Sequence, residues 1–175
     1  MNPLLTQGDI HHDSRGWFRE LYRGDGEFKQ DNVSFSKRGV IRGLHFQTKN
    51  PQGKLVIPLS GVIQDVIVDI RLSRGPEGTA LIPSGFGRVQ TFRLNAAKGD
   101  SLYVPPGFAH GFQALTDALV MYKCTELREK DYEAVLLYND PSLGLRWEPN
   151  AILSERDQNG IKLVDVVQLI SSQEK

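Results

Sequence analysis

Two histidines and a lysine stand in glycine-punctuated stretches of the chain. His45 lies in the run at residues 39–47, Lys54 follows a glycine at the start of an apolar run, and His110 ends the stretch at residues 99–110. An imidazole titrates near neutral pH and can remove or return a proton, and an ammonium can stabilise a developing oxyanion. A histidine in a protein interior can also be only a hydrogen-bonded structural residue, and a lysine at a strand start can point into water. The residue types therefore indicate acid–base chemistry if the fold turns them inward.

Three further side chains could take part in such chemistry. Arg42 lies three residues before His45, and an inward-facing arginine calls for an anionic partner such as phosphate. Tyr122 lies in an apolar run, where a tyrosine is either a core ring or a proton donor at the rim of a pocket. Asp157 lies in a polar segment that resembles a loop. The remaining histidines, His11 and His12, lie in a polar segment and are expected to be solvated.

The spacing in these stretches resembles the two signatures of cupin barrels. Residues 99–110 follow G-x5-P-x-G-x2-H, the pattern of the second signature, and residues 39–47 keep one glycine and one histidine of the first. In metal-binding cupins a second histidine and a glutamate help to hold the ion, but Gln47 and Lys54 stand at those places here. A protonated lysine offers no lone pair and repels a dication. We therefore expect no metal, and a cupin pocket that serves as an organic acid–base site.

Short β-rich runs broken by Gly, Pro, Asn and Asp must position these side chains. Such runs occupy residues 56–59, 62–70, 89–94, 101–104 and 119–124. Frequent turn signals predict an antiparallel sandwich or barrel, with Pro58 at an edge or a bulge. Helix is expected only in short segments, one or two turns within residues 126–133 and a closing element near residues 161–170. The prediction is an all-β, cupin-type jelly-roll barrel with short helical segments near the C-terminus, forming one domain over residues 1–175.

Composition excludes several classes of protein. The 21 Lys and Arg residues balance 21 Asp and Glu residues, so the broad positive surface of a nucleic-acid-binding protein is not expected. The lone cysteine, Cys124, cannot form an internal disulfide and fits a reducing compartment. No apolar run approaches the length of a membrane helix, and the N-terminus lacks a signal-peptide pattern. The expectation is a cytoplasmic protein without membrane partners.

Eight segments in register resemble the dTDP-4-dehydrorhamnose 3,5-epimerase family. The resemblance runs from about residue 14 to residue 157, in order and almost without gaps. The segments are residues 30–34, 39–47, 53–56, 65–71, 106–112, 122–125 and 139–141, followed by 153–157. Each motif alone is weak, but their common order is specific. The resemblance implies an isomerase, namely an epimerase that inverts C3 and/or C5 of a nucleotide-linked 4-keto-6-deoxy sugar in deoxysugar or surface-polysaccharide biosynthesis.

The resemblance also implies a role for each matching residue. His45 matches the general base, Asp157 the acid that orients it, Lys54 the cation near the ketone oxygen, and Tyr122 the proton donor on the opposite face of the sugar. The positions expected to line the substrate pocket are Gln30, Asn32, Arg42, Gln47, His110, Glu133 and Arg156. No cofactor is implied, because the sugar ketone itself makes the neighbouring C–H acidic.

The N-terminal segment, residues 1–29, is expected to be exchanged between subunits. Arg15, Phe18 and Glu20 match a family segment that reaches into the partner's site, which implies a homodimer. One position departs from the family pattern, because Leu127 and Arg128 stand where a tyrosine pair usually clamps thymine. That departure leaves thymidine, guanosine, cytidine and uridine sugars open.

Two other functions remain open from the sequence. A nucleotide-sugar 3,4-ketoisomerase would share the fold and substrate class but move the carbonyl, and a non-catalytic sugar-nucleotide-binding cupin would do neither. The presence of both His45 and Tyr122 favours epimerisation.

Overall fold

Strands dominate the computed structural model, which describes residues 2–24, 26–74, 80–81 and 85–173. In chain order the strands are β1 (Leu4–Gln7), β2 (His11–Asp13), β3 (Gly16–Phe18), β4 (Gln30–Ser36), β5 (Ile41–Gln47), β6 (Lys54–Ser60), β7 (Val62–Asp69), β8 (Ser73–Arg74), β9 (Ala80–Leu81), β10 (Val89–Asn95), β11 (Asp100–Val104), β12 (Phe108–Ala114), β13 (Ala118–Cys124) and β14 (Glu133–Val135). The helices are α1 (Glu155–Gln158) and α2 (Leu163–Gln173), with single 3-10 turns at Ala96–Lys98, Lys130–Tyr132 and Pro141–Leu143.

The strands form two five-stranded antiparallel sheets. One has the order β1-β11-β6-β13-β4, and the other has the order β10-β7-β12-β5-β14. The strands β2 and β3 form a separate hairpin, as do β8 and β9. All five apolar runs that the sequence marked as strands lie in β6, β7, β10, β11 and β13. The all-β, cupin-like prediction is confirmed.

Alternation along the strands divides the apolar side chains between two cores. On β7, Ile63 and Ile67 point into the space between the sheets, while Val66 and Val68 point to the other face. The interior cluster also contains Val56, Leu94, Leu102, Val104, Phe108, Phe112, Ala114, Ala118 and Val120. The outer cluster lies beneath α2, whose Val166 is fully buried in it. The terminal helix therefore closes the back of the second sheet.

Two glycines let β5 and β12 approach closely beside the interior. Gly43 has a φ of 123°, and a Cβ there would lie 2.6 Å from the Gly111 Cα atom. A Cβ on Gly111 would lie 2.5 Å from the Arg42 carbonyl oxygen. The pairing register shifts at this place, between His110 and Phe112. Side chains at these two positions would push the strands apart, so glycine is required at both.

The structure refines several local predictions. Pro58 lies in an interior strand next to a register shift between β6 and β13, so the bulge alternative holds and the edge alternative does not. Residues 126–133 contain only the one 3-10 turn, and the closing element is α2. Asp157 lies in the short helix α1 rather than in a loop, because Ser154 caps that helix and accepts a hydrogen bond from the Asp157 amide.

Candidate active site

A cavity of about 370 Å³ opens between the two sheets. Most of the residues expected to form the site line it: Gln30, Asn32, Arg42, His45, Lys54, His110, Tyr122, Glu133, Arg156 and Asp157. Val56 and Phe112 belong both to its wall and to the interior core. The fold therefore collects residues from six strands and α1 into one space.

His45 and Asp157 form a hydrogen-bonded pair at one wall. The Nε2 atom of His45 lies 2.7 Å from the Oδ1 atom of Asp157, which is only 5% exposed. The other carboxylate oxygen accepts a hydrogen bond from the Gly43 amide at 3.4 Å. Burial alone would raise the pKa of Asp157, but the hydrogen bond and charge of His45, with the Gly43 amide, hold it below its usual value. The carboxylate is therefore ionised and fixes the imidazole, leaving Nδ1 free for chemistry.

Tyr122 lines the cavity from the opposite sheet. It lies on β13 between Asn32 of β4 and Val56 of β6, whereas His45 lies on β5 of the other sheet. Within the described part of the chain, its hydroxyl has no hydrogen-bond partner. Burial, above all, raises the pKa of the phenol, so it is protonated at neutral pH. The site thus places an imidazole on one wall and a protonated phenol on the other.

Lys54 begins β6 and brings the only lysine ammonium among the lining residues. Its nitrogen makes no hydrogen bond or ion pair with any other described residue. Burial lowers its pKa, and interactions with Cys124, Glu133 and Asp65 oppose that shift. An ammonium without a protein partner is suited to an oxygen that gains negative charge during a reaction.

His110 is held by a carboxylate that sequence reasoning did not assign to the site. Its Nε2 atom lies 2.8 Å from Oδ2 of Asp65, which is 0% exposed, and His110 pairs with His45 across β12 and β5. The second oxygen of Asp65 has no hydrogen-bond partner among the residues that the structure describes. The period-two pattern of β7 places Asp65 on the same face as Ile67, and a charged residue on an interior face was the available signal.

Three arginines line the cavity, and two of them bind the same glutamate. Arg128 and Arg156 both bind Oε2 of Glu133, at 2.6 Å and 2.7 Å. Arg42 is held by the Ser36 hydroxyl at 2.9 Å. Burial alone would raise the pKa of Glu133, but the two guanidinium groups outweigh that effect and bring the pKa below its usual value. The carboxylate is therefore ionised. Three guanidinium groups against one carboxylate leave net positive charge, which suits a phosphate-bearing ligand.

Two amide side chains link Arg128 to the Cys124 sulfur along the cavity wall. Gln30 donates to Asn32 at 2.8 Å and accepts from the Arg128 amide at 2.9 Å, and Asn32 contacts the Cys124 sulfur at 3.7 Å. The lining residues that sequence reasoning did not place in the pocket are Ser34, Gln52, Val56, Cys124, Arg128, Gly111, Phe112 and Ser154. Strand pairing brings most of them there, whereas Gln52 and Arg128 come from loops and Ser154 from the cap of α1.

Four of the expected site residues lie away from the cavity in this chain. Gln47 holds a loop, since its amide nitrogen donates to the Asn50 carbonyl and its oxygen accepts from the Glu129 amide. Arg15 forms an exposed ion pair with Asp13, and Glu20 forms one with Arg23. Phe18 is 67% exposed. Their substrate-binding roles stay predictions.

The described residues contain neither a cluster of metal ligands nor a membrane-spanning helix. Within the ranges given above, three or more His, Cys, Asp or Glu side chains nowhere gather as they would around a metal ion. None of the described helices has the length and apolarity needed to cross a bilayer.

Comparison with known proteins agrees with this geometry. The sequence model for dTDP-4-dehydrorhamnose 3,5-epimerase matches residues 2–165. A protein of that name from Methanothermobacter thermautotrophicus is 38% identical, over 89% of this chain and 86% of its own length. The one from Pseudomonas aeruginosa is 37% identical, over 93% of this chain and 91% of its own.

Solved structures give the same result. A dTDP-6-deoxy-D-glucose-3,5-epimerase from Legionella pneumophila, in complex with dTDP-4-keto-L-rhamnose, superposes with a TM-score of 0.83 at 34% identity, covering 93% of this chain and 88% of its own. A 3'-monoepimerase from Streptomyces bikiniensis, in complex with dTDP-quinovose, gives 0.82 at 29% identity, covering 98% of this chain and 92% of its own. The chain therefore belongs to the dTDP-4-dehydrorhamnose 3,5-epimerase family and is an isomerase of the epimerase type.

Proposed function

We propose that the cavity inverts C3 and/or C5 of a nucleotide-linked 4-keto-6-deoxy sugar through an enolate. The observation that carries this proposal is the position of His45, bonded to Asp157 at 2.7 Å, across one cavity from Tyr122 on the opposing sheet. Inversion beside a ketone needs a base on one face of the ring and an acid on the other. The product would supply deoxysugars for surface polysaccharides.

The contacts of His45 support one path for the proton. The Nε2–H group of His45 donates a hydrogen bond to the Asp157 carboxylate and keeps its proton. The other ring nitrogen, Nδ1, then accepts the proton from the carbon beside the ketone. The C–H electron pair forms the enolate, and the charge on its oxygen is stabilised by Lys54. Tyr122 then delivers its phenolic proton to the other face of the same carbon, and exchange with solvent resets both groups. Asp157 stabilises the imidazolium that forms in between.

The arginines of the cavity support a nucleoside diphosphate as the part of the substrate that is bound by charge. Arg42, Arg128 and Arg156 line the cavity, and guanidinium groups bind phosphate oxygens through paired hydrogen bonds. Two relatives of known structure contain dTDP-linked sugars. The nucleobase of this enzyme stays open among thymine, guanine, cytosine and uracil, because Leu127 and Arg128 replace the expected aromatic pair.

The active species is inferred to be a homodimer in which part of the N-terminal segment reaches into the partner's site, while β1 stays paired with β11 of its own chain. Phe18 and Glu20 are exposed and lie outside their own cavity, as expected if they complete the site of a second copy. The outer face of β4 exposes Val33 and Phe35, which would supply apolar area for the contact. We also infer that the enzyme works in the cytoplasm, where its free cysteine would stay reduced.

Solvent deuterium tests the reaction directly. The protein is incubated in deuterium oxide with dTDP-, GDP-, CDP- and UDP-linked 4-keto-6-deoxy sugars, and the products are read by mass spectrometry and NMR. An epimerase inserts deuterium at C3 or C5 and leaves the ketone at C4, whereas a ketoisomerase moves the ketone and a binding protein does neither. His45→Ala should abolish the exchange. Exchange at the wild-type rate in that variant would refute the epimerase mechanism proposed for this cavity.

A further inference from the structure

One buried charge interrupts an otherwise exposed N-terminal segment. Every side chain of residues 11–18 is exposed, and so is Glu20, but Arg19 between them is only 9% exposed. Long charged side chains are rarely buried without a specific partner. The burial of Arg19 therefore needs an explanation that the cavity does not provide, since Arg19 does not line it.

Arg19 binds two backbone carbonyls of its own barrel. Its Nη1 atom donates to the Ala96 oxygen at 3.3 Å, and its Nη2 atom donates to the Pro58 oxygen at 3.2 Å. Burial lowers its pKa, and the charge of Asp100 opposes that shift. Pro58 lies in β6 and Ala96 in the 3-10 turn packed beside it, so the planar guanidinium ties the segment to two neighbouring elements of the barrel.

The other end of the segment is fixed as well. The strand β1 pairs with β11, and the Gly8 amide donates to the Gly99 oxygen at 3.0 Å. Between this attachment and Arg19, the hairpin of β2 and β3 turns all of its side chains to solvent. The hairpin is thus held at both ends by its own barrel and projects from it.

The neighbours of Arg19 face the other way. Successive side chains of an extended chain point to opposite sides, so a buried Arg19 turns Phe18 and Glu20 outward. Both of these are exposed. We propose that Arg19 is a positioning residue for the reaction in the partner subunit, because it fixes the segment that presents Phe18 and Glu20 to the partner's cavity. This inference rests on the shared site of the proposed function.

Loss of the anchor should cost turnover without unfolding the barrel. A displacement of about 1 Å in a group that contacts substrate can cost roughly 100-fold in rate. We expect Arg19→Ala to lower kcat/KM by roughly 10- to 100-fold, and Arg19→Lys, which keeps one donor and the charge, to lose less. The matched control is Arg93→Ala, which removes an exposed arginine of β10 outside the cavity. It should keep wild-type activity.

Heterodimers separate this role from a merely structural one. Subunits carrying Arg19→Ala and His45→Ala are co-expressed with different tags, and the mixed dimer is purified through both. One of its two sites then combines an intact His45 with an intact Arg19 from the other chain, so about half of wild-type activity is expected in a two-fold dimer. If Arg19 supports only its own barrel, that site is damaged and the mixed dimer has no more activity than either parent. That result would overturn the inference.

A second heterodimer tests the shared site itself. Glu20→Ala paired with His45→Ala should also recover about half of the activity. If the Glu20 heterodimer recovers activity and the Arg19 heterodimer does not, the positioning role of Arg19 is refuted and the proposed function still stands. Failure in both pairs would refute the shared site. If Arg19→Ala lowers the melting temperature too far for purification, Arg19→Lys takes its place in the same heterodimer, with the same two outcomes.

Discussion

Replacing the Tyr122 hydroxyl should separate proton removal from proton delivery. Tyr122→Phe keeps the ring on β13, and the hydroxyl has no hydrogen-bond partner among the described residues, so the change should affect folding little. A positioned general acid contributes roughly 10²–10⁴-fold to a rate, which corresponds to about 2.7–5.4 kcal/mol of barrier. We therefore expect inversion to slow by that factor, while His45 with its Asp157 partner still removes the proton.

The assay follows deuterium and configuration together. In deuterium oxide, Tyr122→Phe should give substrate that carries deuterium at C3 or C5 with the original configuration, because His45 returns deuterium to the face from which it took the proton. Mass spectrometry measures the uptake, NMR coupling constants report the configuration, and the melting temperature serves as the folding control. Inversion at the wild-type rate would show that Tyr122 is a core residue and that another group is the acid.

Three further predictions follow from other parts of the structure. Exhaustive chelation should leave full activity, because Gln47 and Lys54 occupy two ligand positions of the cupin pattern; activity restored by one divalent ion would contradict this. Competition binding should show a weak preference for dTDP over GDP, CDP and UDP, since Arg128 stands in the expected aromatic clamp; exclusive dTDP binding would refute it. Asp140→Asn should cost about 1 kcal/mol of stability at pH 7. Burial raises the pKa of Asp140, but hydrogen bonds, the first from the Leu163 amide, bring it below the usual value. That contribution is complete above the unfolded pKa of about 3.9 and is lost as the pH falls through the folded value, so thermal melts at pH 7 and near pH 2 should show the gap closing.

Local sequence patterns predicted the strands and singled out two histidines that line the cavity. Glycine and proline spacing placed His45 and His110, and β-branched runs marked β7 and β13. Contacts between distant residues could not be read in this way. Asp157 meets His45 across 112 positions of sequence, and only strand pairing and the cap of α1 bring them together. The resemblance to a family supplied that pairing in advance.

The same limit applies to features that the resemblance did not carry. The carboxylate of Asp65 behind His110 depends on the register between β7 and β12, and the position of Arg128 over Glu133 depends on a loop conformation. Arg19 looked like any other charged residue of a polar segment, because its two acceptors are backbone carbonyls that have no signature in the sequence.

The shared wall of core and cavity has a consequence for how this enzyme can change. Val56 and Phe112 belong at once to the packed interior and to the surface that a sugar would touch. A methyl group added at Val56 would occupy space between the sheets and would also reduce the volume of the cavity that is proposed to hold the sugar ring. Substitutions at these positions therefore change both thermal stability and the shape of the sugar site, so selection for one property also alters the other.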